Sequence, residues 1–185
     1  MLLPNLGRPT YRKLSPVPLS PLVWSGPRPY SPRQLLDAGI KQSLSLQRGW
    51  YNIFTETEHE KAEHDARMAY NGVHLFAIPL SDFWKPRRAE LLSIFKFLFE
   101  ANEKVYFHCL HGKDRTGYVR ALYRMVVFDW TEEQARIELH AQGFHSFPYF
   151  FWLRSLRADA AWLKDELVAL RTLHVERCRA LVGEP

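Results

Sequence analysis

HCLHGKDRTG, residues 108–117, is the stretch of sequence that decides the fold. The apolar residues 105–107 before it predict a β-strand, and the pattern over residues 118–128 after it predicts a helix. Cys109 is therefore expected at the carboxyl end of a strand, just before a helix N-terminus, where open α/β sheets bind ligands. Free N–H groups and the helix dipole favour an anion there, and they favour the thiolate form of a cysteine. Arg115 adds a planar cation that can bind two oxygens of one phosphate.

This stretch resembles the signature loop of the cysteine-based protein tyrosine phosphatase superfamily, H-C-x-x-G-x-x-R-[ST]-G. It is most similar to the small, atypical dual-specificity branch that includes bacterial-type members. The resemblance covers roughly residues 22–145 and becomes less specific away from the loop. It implies hydrolysis of phosphate monoesters through a phosphocysteine intermediate, with no metal and no other cofactor.

The resemblance also implies a role for each residue of the loop. Cys109 would attack phosphorus, and Arg115 would hold the phosphoryl group. Thr116 would hydrogen-bond the thiolate and help the phosphocysteine break down, while His108 would orient the loop. Backbone N–H groups would bind the phosphate oxygens, and the residues that contribute to this cradle would be Leu110, His111, Gly112, Lys113, Asp114 and Arg115.

Asp82 is the predicted general acid, because an alkoxide leaving group needs a proton and a carboxyl group at a neighbouring strand end can supply it. The lead-in Ile78-Pro79-Leu80-Ser81 resembles the acid loop of the family. Asp82 could instead cap the helix that follows. Asp114, inside the signature loop, is the alternative acid, and its other possible role is a hydrogen bond within the loop.

The substrate is less well defined by the sequence. The leading prediction is a dual-specificity phosphatase that acts on phosphotyrosine, phosphoserine and phosphothreonine. Lys113 resembles loops that process phosphoinositides or inositol polyphosphates, although a solvated lysine is the alternative. His111 resembles the RNA 5′-triphosphatase branch, which typically lacks the acid, so Asp82 counts against it. A phosphate-binding module without turnover is the non-enzymatic alternative. The expected partners are phosphorylated proteins, small molecules or lipids, and nucleic acid is not expected.

Length and composition favour one globular domain, because 185 residues with 46% hydrophobic content can enclose a core. No apolar run reaches the roughly 20 residues that cross a bilayer, and the Pro-rich N-terminus lacks a secretory signal pattern. The two cysteines, Cys109 and Cys178, do not make a disulfide framework, so a reducing cytoplasm is the expected location. The formal net charge of +5 suits anionic ligands without indicating nucleic-acid binding.

Strands that alternate with helices predict an α/β fold. We expect a mostly parallel central sheet of four to five strands, helices on both faces, and the signature loop between the last strand and the following helix. The predicted strands are residues 22–25, 40–46, 73–78 and 105–107. The predicted helices run from Ser31 to Gly39, from Thr55 or Thr57 to Gly72, from Pro86, from Tyr118, from Thr131 to Gly143, and as one long helix from near Pro148.

The predicted domain organisation has three parts. Residues 1–21 form a Pro-rich lead, residues 22–175 form a single phosphatase domain, and residues 176–185 form a C-terminal tail.

Overall fold

One five-stranded sheet organises the computed structural model, which describes residues 16–29, 31–47, 71–81 and 83–183. The strands follow the order β1-β2-β5-β3-β4, and within the described residues only the β1–β2 pair is antiparallel. This confirms the predicted mostly parallel α/β fold. The strands are β1 Val17–Pro18, β2 Val23–Pro27, β3 Gln42–Ser45, β4 His74–Ala77 and β5 Val105–Cys109.

Strand β5 lies at the centre of the sheet and is buried along its whole length. It pairs in parallel with β2 on one side and with β3 on the other. Successive side chains of a strand point to opposite faces. Phe107 and Cys109 accordingly contribute to the larger core, and Tyr106 contributes to a smaller core on the other face. The carboxyl end of β5, where Cys109 lies, is therefore at the middle of the sheet edge that binds ligands in this class of fold.

Helices cover both faces of the sheet. Leu35 of the first helix packs in the smaller core, and the remaining described helices pack around the larger one. Their bounds are α1 Pro32–Leu36, α2 Arg88–Glu100, α3 Asp114–Val127, α4 Glu132–Ala141, α5 Ser146–Glu166 and α6 Val168–Val182.

The helices predicted to start at Ser31 and at Thr131 both begin with a capping box. Ser31 N–H donates to Gln34 Oε1 over 3.2 Å, and Thr131 exchanges hydrogen bonds with Gln134. Helix α3 begins at Asp114 rather than at the predicted Tyr118, so the free N–H groups of its first turn lie inside the signature loop. Most of the helix predicted from Thr55 or Thr57 to Gly72 lies outside the described residues.

The prediction of one long C-terminal helix was wrong. The helix begins at Ser146 and ends at Glu166, Leu167 leaves helical geometry with φ −115° and ψ 24°, and α6 then begins at Val168. The break was not visible in the sequence because Leu167 is buried and falls on the same apolar period as the helix before it. Helix α6 continues across the predicted domain boundary at residue 175.

A buried polar network fastens α6 to the rest of the domain. The hydroxyl oxygen of Tyr123 on α3 lies 2.6 Å from His174 Nε2 on α6 and 3.0 Å from Ser20 Oγ, next to β2. The His174 ring is fully buried and stacks on Phe99 of α2 at 5.0 Å between ring centroids. Burial, with a further contribution from Arg177, lowers the pKa of His174 to about 4.

Because His174 resists protonation in the folded protein, we expect the free energy of unfolding to fall in mild acid. The unfolded chain binds a proton at His174 below about pH 6.5, whereas the folded chain resists it until about pH 4. The free energy of unfolding should therefore fall by about 3 kcal/mol from this residue as the pH drops from 6.5 to 4. Urea denaturation of the wild type and of His174→Phe across this range measures the difference.

The free energy of unfolding of His174→Phe should depend less on pH than that of the wild type. The exposed His140, replaced by Gln, is the matched control and should keep the wild-type dependence. A His174→Phe protein with the same slope as the wild type would contradict this account.

Candidate active site

The signature loop passes closely over the end of β2. Gly112 has a φ of 69°, which side-chain-bearing residues rarely adopt. A Cβ atom there would lie 2.4 Å from Gly26 C and from Pro27 N, so glycine alone fits. The Arg28 N–H donates to the carbonyl oxygen of Leu110 over 3.1 Å. These contacts fix the path of the loop between Cys109 and α3.

Cys109 lies at the base of this loop, and only 3% of its surface is exposed. The residues above it reach solvent: His111 is exposed on one side, and Leu110, Lys113 and Arg115 are half-buried. Partial desolvation of the His111 ring by the loop and the charge of Lys113 lower the pKa of His111. The loop therefore places cationic side chains around a sheltered thiol, which is an arrangement suited to a tetrahedral anion.

His108 precedes the cysteine, Thr116 follows Arg115 in the first turn of α3, and both residues are buried. The hydroxyl of Thr116 makes no hydrogen bond within the described part of the chain, so it can serve a thiolate or a bound oxyanion. The carbonyl oxygen of His108 accepts from the Leu46 N–H over 2.7 Å, and its ring stacks on Tyr106 at 5.9 Å. The strand, loop and helix thus bring together the predicted residues 108–116.

Asp114 is held by the segment that precedes α5. Its carboxylate accepts from the His145 backbone N–H over 2.8 Å, and His145 Nδ1 lies 3.0 Å from Oδ2. The neighbouring Lys113 side chain lies along Gly143, since a Cβ added to that glycine would be 3.3 Å from Lys113 Cε. The structure therefore places Asp114 in a structural contact between the loop and α5, and sequence reasoning did not foresee its partner His145.

Asp82 lies outside the described residues, but the segment that follows it is well anchored. Lys85 Nζ lies 2.9 Å from Asp159 Oδ1 on α5, and the Tyr118 hydroxyl on α3 donates to Asp159 Oδ2 over 2.7 Å. Burial and the adjacent Asp159 raise the pKa of Tyr118, which keeps this hydroxyl protonated as the donor. The segment after Asp82 is thereby tied to the helix that starts in the signature loop.

The other candidate groups lie elsewhere or do not assemble. Cys178 is on α6, and its sulfur is 3.6 Å from His174 Nε2. Burial raises the pKa of the Cys178 thiol.

Among the described residues, no three His, Cys, Asp or Glu side chains are grouped so as to hold a metal ion. No helix in the described ranges is both long and apolar enough to cross a membrane.

A model of the tyrosine phosphatase family matches residues 28–128, more than half of the chain. The protein belongs to the tyrosine phosphatase family. This matches the family predicted from the loop sequence, and the matched range includes β5, the loop and α3.

A family member with local sequence similarity is the dual specificity protein phosphatase TpbA of Pseudomonas aeruginosa. It is 41% identical over 58 residues, which are 30% of this chain and 27% of TpbA. The crystal structure of TpbA superposes over 83% of this chain and 90% of its own, with a TM-score of 0.62 and 22% identity. The sequence match spans about a quarter of this curated relative.

Two other solved structures share the fold at lower identity. The core catalytic domain of the Saccharomyces cerevisiae PP-IP phosphatase SIW14 has a TM-score of 0.66 and 15% identity, over 85% of this chain and 93% of its own. PTPMT1 in complex with PI(5)P has a TM-score of 0.58 and 20% identity, over 78% of this chain and 94% of its own.

Because Gly112 contacts the backbone of β2, a side chain added at this position should destabilise the fold. Gly112→Ala should lower the free energy of unfolding by about 3 kcal/mol or more, because the new Cβ clashes with backbone and the φ is strained. Displacement of the loop should also weaken the binding of vanadate, a phosphate analogue. Chemical denaturation and titration calorimetry measure the two effects.

Gly72 offers a matched control, since it has a φ of 80° and no atom within 4 Å of an added Cβ. Gly72→Ala should cost only about 1 kcal/mol of backbone strain and leave vanadate affinity unchanged. Equal effects of the two substitutions would contradict the close approach described above.

Proposed function

We propose that this protein hydrolyses phosphate monoesters through a phosphocysteine intermediate on Cys109. The observation that carries the proposal is the strand–loop–helix unit, in which Cys109 ends β5, Gly112 holds the loop against β2, and Arg115 lies in the first turn of α3. Loop N–H groups and the helix N-terminus provide positive potential where a phosphoryl group gains charge in the transition state.

The proposed reaction has two displacements at phosphorus. The Cys109 thiolate forms the S–P bond as the P–O bond to the leaving group breaks, and Asp82 gives its proton to the departing oxygen. Water then attacks the phosphocysteine, Asp82 takes a proton from it, and the S–P bond breaks to release inorganic phosphate and the thiolate. Arg115 binds two phosphoryl oxygens throughout, and Thr116 donates to the sulfur as it leaves.

Phosphorylated proteins are the proposed substrates, with dual specificity for phosphotyrosine and for phosphoserine or phosphothreonine. The similarity to TpbA, a dual specificity protein phosphatase, supports this class. Inositol phosphates or phosphoinositides are the second candidate. That class is supported by Lys113 in the loop and by the fold shared with a PP-IP phosphatase and with PTPMT1. The cytoplasmic location, the domain boundaries and the absence of a cofactor stay predictions.

Phosphate release from an aryl phosphate tests the proposal directly. Turnover should persist in the presence of a metal chelator and be blocked by vanadate. Cys109→Ser should lose at least about 10⁴-fold in turnover, because a hydroxyl is a far weaker nucleophile, and should still bind vanadate. Cys178→Ser is the matched control and should retain wild-type turnover.

Turnover by Cys109→Ser at close to the wild-type rate would exclude a covalent intermediate on Cys109. Vanadate binding without any turnover by the wild type would favour the phosphate-binding module. Rates on phosphopeptides and on inositol phosphates, measured side by side, then decide between the two substrate classes.

The identity of the general acid follows from leaving-group dependence. Asp82→Asn should lower turnover of alkyl and tyrosyl phosphates by about 10²–10⁴-fold, and should affect p-nitrophenyl phosphate less because that leaving group needs no proton. Asp114→Asn should lower the turnover of both kinds of substrate to a similar degree, because it loses the contact with His145 that positions the loop. The reverse pattern would assign the acid to Asp114.

A further inference from the structure

A second arginine lies beneath the signature loop. Arg120 on α3 is 2% exposed and turns toward the sheet. Its Nε donates to Ser25 Oγ on β2 over 3.0 Å, and its Nη2 donates to the carbonyl oxygen of Gly112 over 3.2 Å. The guanidinium therefore joins the end of β2 to the middle of the loop from below.

The sheet register places this guanidinium beside the nucleophile. Ser25 pairs with Phe107, and Pro27 pairs with Cys109, in the parallel ladder between β2 and β5. Side-chain alternation puts Ser25, Phe107 and Cys109 on the same face of the sheet, under α3. Because Arg120 contacts both Ser25 and Gly112, its charge lies in the layer that also contains the Cys109 sulfur.

No carboxylate of the described residues lies in ion-pair contact with the guanidinium of Arg120. Its Nε and Nη2 both donate to neutral oxygens, and its Nη1 makes no hydrogen bond within the same part of the chain. Burying a guanidinium without an anion is costly. Burial lowers the pKa of Arg120, while the carboxylate of Glu138 and the thiolate of Cys109 raise it. An anion in the signature loop therefore adds to the Glu138 carboxylate in offsetting this cost.

We propose that Arg120 is a positioning residue for the phosphatase reaction. It fixes the Gly112 carbonyl below the loop, so that the neighbouring N–H groups face the phosphate, and it stabilises the Cys109 thiolate from the side opposite the substrate. Arg115 and Arg120 lie about one and a half turns apart on α3. They would therefore stabilise the same anion in the signature loop from two sides. The part of this inference that concerns turnover rests on the function proposed above, but the part that concerns the thiolate does not.

Alkylation of Cys109 tests the inference without requiring turnover. The rate of reaction with iodoacetamide, a neutral reagent, is measured against pH and followed on the Cys109 peptide by mass spectrometry. Arg120→Met should move the midpoint of this profile up by about one pH unit, because a buried positive charge near the sulfur is lost. Arg120→Lys keeps a charge there and should restore at least half of the shift.

Arg124→Met is the matched control, since Arg124 lies one turn later on the same helix and pairs with Glu138 at 3.0 Å. It should lose stability yet keep the wild-type profile. The other charged or titratable groups around Arg120 are Glu138, Arg124 and Tyr106. The Arg120 variants retain all three, and the control removes only Arg124. A profile of Arg120→Met that coincides with the wild type would overturn the proposal.

If Arg120→Met does not fold, Ser25→Ala decides, because it removes the Nε acceptor and leaves the arginine in place. An upward shift of the midpoint supports the proposal, and an unchanged midpoint with unchanged turnover overturns it. A shift in a protein that has no phosphatase activity would support the thiolate role and contradict the proposed function, so the two failures are distinguishable.

Discussion

The close approach of the signature loop to the end of β2 is the constraint on which the rest of the site depends. A chain that leaves the central strand at Cys109 must turn within four residues and enter α3 at Asp114. Gly112 makes this possible because it can take a positive φ and touch the backbone at Gly26 and Pro27. In the proposed mechanism, this turn directs the loop N–H groups toward the phosphoryl group above the Cys109 sulfur. Anion binding and a nucleophilic thiolate would then be two consequences of one backbone path.

Buried charged and polar side chains hold that path in place. Arg120 ties the loop to β2, and Asp159 ties the segment after the predicted acid to α3 and α5 through Lys85 and Tyr118. Each of these groups would be destabilising alone, because desolvation costs more than a single hydrogen bond returns. Their partners come from three or more elements, so they also fix how those elements sit against each other. His174 likewise fixes the position of α6 against the rest of the domain.

The sequence was informative where short-range chemistry is distinctive. The loop, the parallel sheet and the two capping boxes could be predicted, because each has a local pattern that few other structures produce. The break at Leu167 could not, since a buried leucine on the helical period looks the same in a continuous helix. Arg120 and Asp159 could not either, because a charged residue in a helix is usually exposed, and only the tertiary structure shows which residues turn inward. The sequence offered Asp114 as an alternative acid or as a hydrogen-bonding residue within the loop, and neither interpretation included its partner His145, which is distant in sequence.

The central claim is that the sulfur of Cys109 becomes covalently phosphorylated during turnover. Rapid acid quenching of the enzyme during steady-state hydrolysis of an aryl phosphate, followed by peptide mass spectrometry, measures this most directly. The account predicts a phosphoryl group on the peptide that contains Cys109, in an amount that increases when Asp82 is replaced by Asn, because hydrolysis of the intermediate then lacks its base. A protein that turns over substrate with phosphate on a different residue, or with no phosphorylated peptide at all even in that variant, would contradict it.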